Sequence, residues 1–224
     1  MRRSAVLTAA LVVIALLAAC STGSRVDLGG PSAGNLTAAI AGEPDQLDPQ
    51  KSTAYFSFEV LENVFDTLVE PDENLEMRPP ALAESWQVSP PDQLTWTFRL
   101  RPGITWHDGS PFSASDVVYS YRRIIDGKLA NVDKLSAVRD ISAPDPQTVV
   151  ITVAHPPTPP NLLTNVGGFK GLAIVQRHNV ETGQIATHPV GTGPFAFAGR
   201  KSGDSITLTA NKNYWGGPPR RSRA

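Results

Sequence analysis

The order of apolar and polar positions divides the chain into short elements of alternating kind. From Thr53 to Val69 the apolar residues Phe58, Leu61, Val64, Phe65 and Leu68 return at steps of three and four, which predicts one face of an amphipathic helix. In Leu94-Thr95-Trp96-Thr97-Phe98-Arg99-Leu100 the large apolar side chains occupy every second position, the period of a half-buried strand. Pro102-Gly103 turns the chain, Ile104 and Trp106 continue on one face, and Asp108-Gly109 turns it again. Ser113, with Asp116 three residues on, has the spacing of a helix capping box. Val117, Val118, Tyr121, Ile124 and Ile125 then make a helical stripe, with Gly127 placed as its C-cap.

Elsewhere the pattern is shorter. Leu36 to Ile40 reads as a first strand, ended by the turn-rich AGEPDQLDPQ (41–50). PDENLEMRPP (71–80) is a turn followed by a proline break. Val138 to Ile141 and Thr148 to Val153 flank SAPDPQ, a hairpin with a longer loop, and Ser205 to Ala210 alternates as another strand. GLAIVQRH (171–178) contains a short buried strand or a helix start, and HPPTPPN (155–161) is the sharpest break in composition. Strands and helices mix without βαβ regularity, so the elements indicate α/β or α+β with more than one lobe.

Composition narrows this only a little. With 224 residues, 41% hydrophobic and 18% charged, the chain is of ordinary globular make-up. A net charge of −1 gives no electrostatic reason to expect a nucleic acid as partner. Twenty prolines, nearly double the usual share of ~5%, favour short punctuated elements. The N-terminus adds more. Arg2 and Arg3 precede an apolar run from Ala5 to Ala19, interrupted by Thr8 alone. It is too short for a spanning helix, which needs ~20 residues, but suits a secretory signal. It closes on Leu17-Ala18-Ala19-Cys20, and Cys20 is the only cysteine. Residues 21–34 read as a flexible Ser/Gly spacer.

The titratable residues do not assemble a reactive pattern. His107-Asp108 invites a catalytic reading, but neighbours at a turn point apart, whereas a triad needs the carboxylate behind the imidazole. Neither a Gly-x-Ser-x-Gly elbow nor a phosphate-binding glycine loop is present. His107, His155, His178 and His188 lack metal-ligand spacing. Trp86, Trp96, Trp106, Tyr119 and Tyr121 could line a ligand surface, but their spacing fits core positions. The expectation is no enzyme, no cofactor and no catalytic or metal-binding residue.

Several stretches together carry a resemblance. EPDQLDP (43–49), LAESW (82–86), LTWTFRLRPGITWHDGSPFSASDVVYSYRR (94–123), APDPQTVVITV (143–153), GTGPFAF and NYWGG (191–217) occur in the order found in bacterial extracellular solute-binding proteins of the peptide/nickel class, family 5. Likewise, LAAC resembles a lipoprotein signal whose cysteine is lipidated. The resemblance implies a periplasmic-binding-protein-like α/β fold of the class II, three-lobed type. It places 1–20 as signal peptide and 21–34 as linker. Residues 35–58 and 160–217 would form a first main lobe, and 59–159 an accessory lobe. It also implies lipid anchoring through Cys20 on the extracytoplasmic face of the membrane, an oligopeptide, dipeptide or similar small solute as ligand, and an ABC permease with its ATPase subunits as partners. Glu43 is the one residue it offers as a ligand contact; a solvated loop carboxylate is the other reading of that residue.

Members of this class continue past NYWGG into a second large lobe, whereas PPRRSRA (218–224) has the composition of an atypical basic tail. The expectation is therefore a truncated binding lipoprotein that lacks the second main lobe and binds with impaired affinity. The alternative is a shortened surface lipoprotein acting as an interaction or sensory module without transport.

Overall fold

The structure, a computed structural model, describes residues 37–71, 77–78, 81–156, 162–168 and 170–218. Cys20, the apolar leader and the tail from 219 lie outside them. The chain divides into two units, Met1–Ala38 and Ala39–Ala224, and every element below belongs to the second.

Residues 37–40 form no strand and are exposed; a lone extended segment needs a neighbour to satisfy its backbone, and among the described residues none pairs with it. Helix α1 (Tyr55–Val64) buries Ser57, Val60, Leu61 and Val64, the spacing expected for one helical face. It stops five residues short of Val69. The reason is that the Gly193 N–H, at 2.9 Å, takes the Val64 carbonyl that a further helical turn would use. Phe65 is extended, and Leu68 and Val69 reach the core as extended chain held by the Ala83 N–H on the Leu68 carbonyl. One helix is continuous across residues 58 and 59, the first expected lobe boundary; the second, at 159–160, lies outside the described residues.

Strands β1 (Glu70–Pro71) and β2 (Met77–Arg78) pair antiparallel. β3 (Ala83–Val88) and β4 (Thr95–Leu100) follow, and β4 buries Trp96, Phe98 and Leu100 while exposing Arg99. Helix α2 (Ala114–Gly127) opens on the expected capping box: Asp116 Oδ2 accepts from the Ser113 N–H at 2.9 Å. Its end differs by one residue. Lys128, not Gly127, takes the left-handed conformation at φ 46°. β5 (Val138–Asp145) and β6 (Thr148–Val153) form the expected hairpin, but the loop is only Pro146-Gln147. Bulges in β5 absorb the extra residues, and Asp145 accepts from the Gln147 N–H at 2.8 Å to close the turn. The sheet order is β3-β4-β6-β5, antiparallel throughout, with α2 packed against β5 and β6.

Helix α3 (Arg177–Glu181) and the hairpin of β7 (Phe195–Lys201) and β8 (Ser205–Ala210) complete the unit. GLAIVQRH thus supplies a helix start at Arg177, preceded by buried residues without strand pairing. Two apolar clusters result. The larger joins the four-stranded sheet and α2 with Leu162, Val166, Leu172 and Ile174. The smaller gathers Leu47, Leu61, Val64, Phe65, Ala173, Val175 and Ile185, with Phe197, Ile206 and Leu208 leaning on it. No helix among the described residues is long and apolar enough to cross a membrane.

Candidate functional site

The segment before α1 is anchored from Asp45 onward. Asp45 Oδ1 accepts from the hydroxyls of Ser52 at 2.7 Å and Ser57 at 2.5 Å, which explains a buried serine on the apolar face of α1. Leu47 is buried in the smaller cluster. Asp48 receives both terminal nitrogens of Arg123 from α2, at 3.1 and 2.6 Å, a two-pronged pairing that fixes orientation. Gln50 accepts from Arg123 at 2.7 Å and donates to the carbonyls of Ser120 and Ala173. A loop rich in turn residues is thereby held as rigidly as an element.

Glu43 stands at the exposed start of this rigid segment. Its Oε1 accepts from Arg200 Nε at 3.0 Å, Arg200 Nη2 at 2.7 Å and the Ser202 hydroxyl at 3.1 Å. Arg200 also donates to the Pro44 carbonyl at 3.0 Å. The hydrogen-bonded guanidinium of Arg200 holds the Glu43 carboxyl below its ordinary range. Among the described residues the exposed large apolar ones are Ile40 and, at the start of α1, Tyr55 at 74%. Arg200 was not legible as a partner, because the contact spans 157 residues.

His107 and Asp108 serve different loops. Asp108 Oδ1 accepts from the Ser110 N–H and hydroxyl, closing a turn in which Gly109 adopts φ +84°, and its Oδ2 accepts from Gln176 at 2.8 Å. His107 instead grips the 191–193 loop. Its Nδ1 accepts from the Gly191 N–H at 3.2 Å, which leaves Nε2–H to donate to the Gly193 carbonyl at 2.9 Å. That pattern needs the neutral ring, and burial lowers the His107 pKa in the same direction. His107, Asp108, His188 and Phe197 line a depression of about 190 Å³, below the ~300 Å³ at which small-molecule sites usually begin. Among the described residues no three His, Cys, Asp or Glu side chains come together to hold a metal.

The same glycine loop meets the end of α1. A Cβ on Gly191 would lie 1.9 Å from the Val64 carbonyl oxygen, and one on Gly193 2.7 Å from that of Asn63. Between them Thr192 donates to Asp66 Oδ2 at 2.8 Å; Trp215 Nε1 donates to the same oxygen at 2.9 Å, and the Tyr214 hydroxyl to Oδ1 at 3.4 Å. GTGPF and NYWGG, read in the sequence as motifs without a mechanism, therefore converge on one buried carboxylate. Of the aromatic residues, Trp96, Trp106 and Tyr121 are core, while Tyr119 lies under the guanidinium of Arg177, 4.6 Å from its ring centre.

This architecture is shared with proteins of known role. The structure resembles the Escherichia coli murein tripeptide binding protein MppA (TM-score 0.70, 28% identity, over 79% of this chain and 38% of that one). It also resembles the periplasmic binding protein DppA from Helicobacter pylori in complex with the peptide STSA (TM-score 0.69, 30% identity, 79% and 39%). The fold is therefore periplasmic-binding-protein-like. Residues 79–223 match the family model of the bacterial extracellular solute-binding proteins, family 5 Middle, and the chain belongs to that family. Protein XP55 of Streptomyces lividans is 35% identical over 97% of this chain and 39% of its own length. The periplasmic murein peptide-binding protein MppA of Escherichia coli is 31% identical over 79% and 36%. The chain thus spans less than two fifths of the curated relatives it matches. The family is one of solute-binding proteins, as expected from the motifs.

Proposed function

We propose that this chain contributes one wall of an extracytoplasmic receptor for short peptides or similar small solutes, serving an ABC permease and its ATPase subunits. The observation that carries the reading is the rigid 43–50 segment with Glu43 and Arg200 at its exposed lip, within a family whose relatives bind peptides by name. A peptide has a cationic and an anionic end, and a partly exposed Glu–Arg pair offers a partner to each. Backbone recognition by strand-like pairing, with loose side-chain pockets, is the general way such ligands are held. Because the chain spans under two fifths of those relatives, we place on it the contacts of this segment and no others; full-receptor affinity is not expected of it alone. In the same reading Cys20 carries the lipid that tethers the protein outside the cytoplasm, since two or more acyl chains give stable anchoring.

Titration of this chain with a panel of short peptides, followed by calorimetry, tests the ligand. Saturable binding that Glu43→Ala weakens roughly tenfold, about 1.4 kcal/mol, is the expected outcome; binding that the substitution leaves unchanged removes Glu43 from the site. Radiolabelled palmitate should enter the wild-type chain in bacteria and not Cys20→Ser. Label retained in that variant would refute the anchor.

A further inference from the structure

The described fold holds a buried carboxylate that solute binding does not use. Asp66 is 2% exposed and lies just past the end of α1. Among the described residues no arginine, lysine or histidine forms an ion pair with it, which is unusual for a buried charge. Its two oxygens are not equivalent. Oδ2 accepts two short bonds, from Thr192 and from the indole of Trp215, which can only donate. Oδ1 has the long contact to the Tyr214 hydroxyl, a group that can donate or accept. A proton on Oδ1 would therefore leave both short bonds in place and point at the phenol oxygen, which can accept it. The arrangement accommodates the neutral acid, while the ionised form keeps the same three donors but has no opposite charge in ion-pair contact among the described residues.

We propose that Asp66 is a proton-operated fastener, which in its neutral form holds the 191–193 loop and the Tyr214-Trp215 segment firmly to the end of α1 and on ionisation loosens both. The charged and titratable groups around it agree. Burial disfavours ionisation, and Glu70 in β1, a like charge, acts in the same direction, so the carboxyl is pushed up to about 7. Tyr214 faces Oδ1. Arg101 lies over the face of Trp215, 5.0 Å from the ring centre, and forms no ion pair with the carboxylate. His107 lies beyond the glycine loop and is held neutral there. The sign follows: a carboxyl whose folded pKa is raised stabilises the fold below the unfolded value, and that stabilisation is lost as pH rises through about 7.

The test is the ¹³Cγ resonance of Asp66 together with the indole ¹H–¹⁵N resonance of Trp215, followed from about pH 5.5 to 8.5 in the 224-residue chain. Both are expected to titrate with a common midpoint near 7. In Asp66→Asn the amide oxygen can take the two short bonds and the amide nitrogen can face the phenol, so the indole resonance should no longer move. The variant's melting temperature should also rise relative to wild type from the acid end to about pH 7 and keep that difference at the alkaline end. An Asp66 resonance without a midpoint in this window, an indole that does not follow it, or an indole titration near 7 that persists in Asp66→Asn each overturns the proposal. The carbon resonance of the unsubstituted protein decides the matter if the variant fails to fold.

Discussion

A missing methyl group decides the most at the scale of single residues. Gly191 and Gly193 stand where a side chain would enter the backbone at Asn63 and Val64, so their role is close approach. Gly191→Ala should destabilise by ~3 kcal/mol or more, since neither contacting atom belongs to a flexible side chain. Gly199 in β7 has open space around its Cα, and Gly199→Ala should be neutral or stabilising by up to ~1 kcal/mol. Urea midpoints at constant slope measure both; equal costs at the two positions would refute the contact account. The glycine pair was visible in VGTGPF, but the atom that excludes a side chain is 127 residues earlier in the chain, at Val64, and no local pattern reveals it. For the same reason Glu43 was readable as a candidate and its partner Arg200 was not.

Elements were legible where periodicity and local chemistry agreed. The alternation around Trp96 and the Ser113–Asp116 box each depend on neighbours within a few positions, and both appear as expected. Ser113→Ala should cost ~1 kcal/mol by removing the cap, read as a shift of the thermal or urea midpoint. Where tertiary contacts compete with periodicity, the reading failed. The apolar stripe continues to Val69, but α1 ends at Val64 because the glycine loop takes its last free carbonyl. The hairpin loop shrank to two residues because bulges let SAPD join β5. Arg123 and Asp48 tie the 43–50 segment to α2, with side-chain exposures of 13% and 3%. Asp48→Ala would strand a nearly buried guanidinium and should cost about 3 kcal/mol. A loss below ~1 kcal/mol would mean that Gln50 alone can hold the arginine.

The second unit as a whole joins a sheet-and-helix body to a smaller cluster under a hairpin, and Asp66 and His107 lie where segments of the two meet. Two pH effects of opposite sign follow. The fold favours protonated Asp66, so its contribution falls as pH rises through about 7. The fold favours neutral His107, so its contribution is lost as pH falls below the ordinary histidine range. Relative to Asp66→Asn, the wild-type melting temperature should therefore fall as pH rises toward about 7 and level off above it, and the acid-side loss should shrink in His107→Gln. Family membership and the order of the motifs were legible in the sequence; the meeting of GTGPF, NYWGG and the end of α1 on one carboxylate was not.

The central claim is that this fold presents a peptide-binding lip formed by Glu43 and Arg200. The measurement that tests it most directly is the affinity of short peptides for the chain with native Glu43–Arg200 and with the pair reversed, Glu43→Arg combined with Arg200→Glu. The reversal keeps an ion pair available to the hairpin but exchanges the charges offered to a ligand. Binding by the native pair, with a loss of roughly tenfold or more on reversal in a protein that melts at the wild-type temperature, is the predicted result. Peptide affinity that is the same for both arrangements would contradict the account.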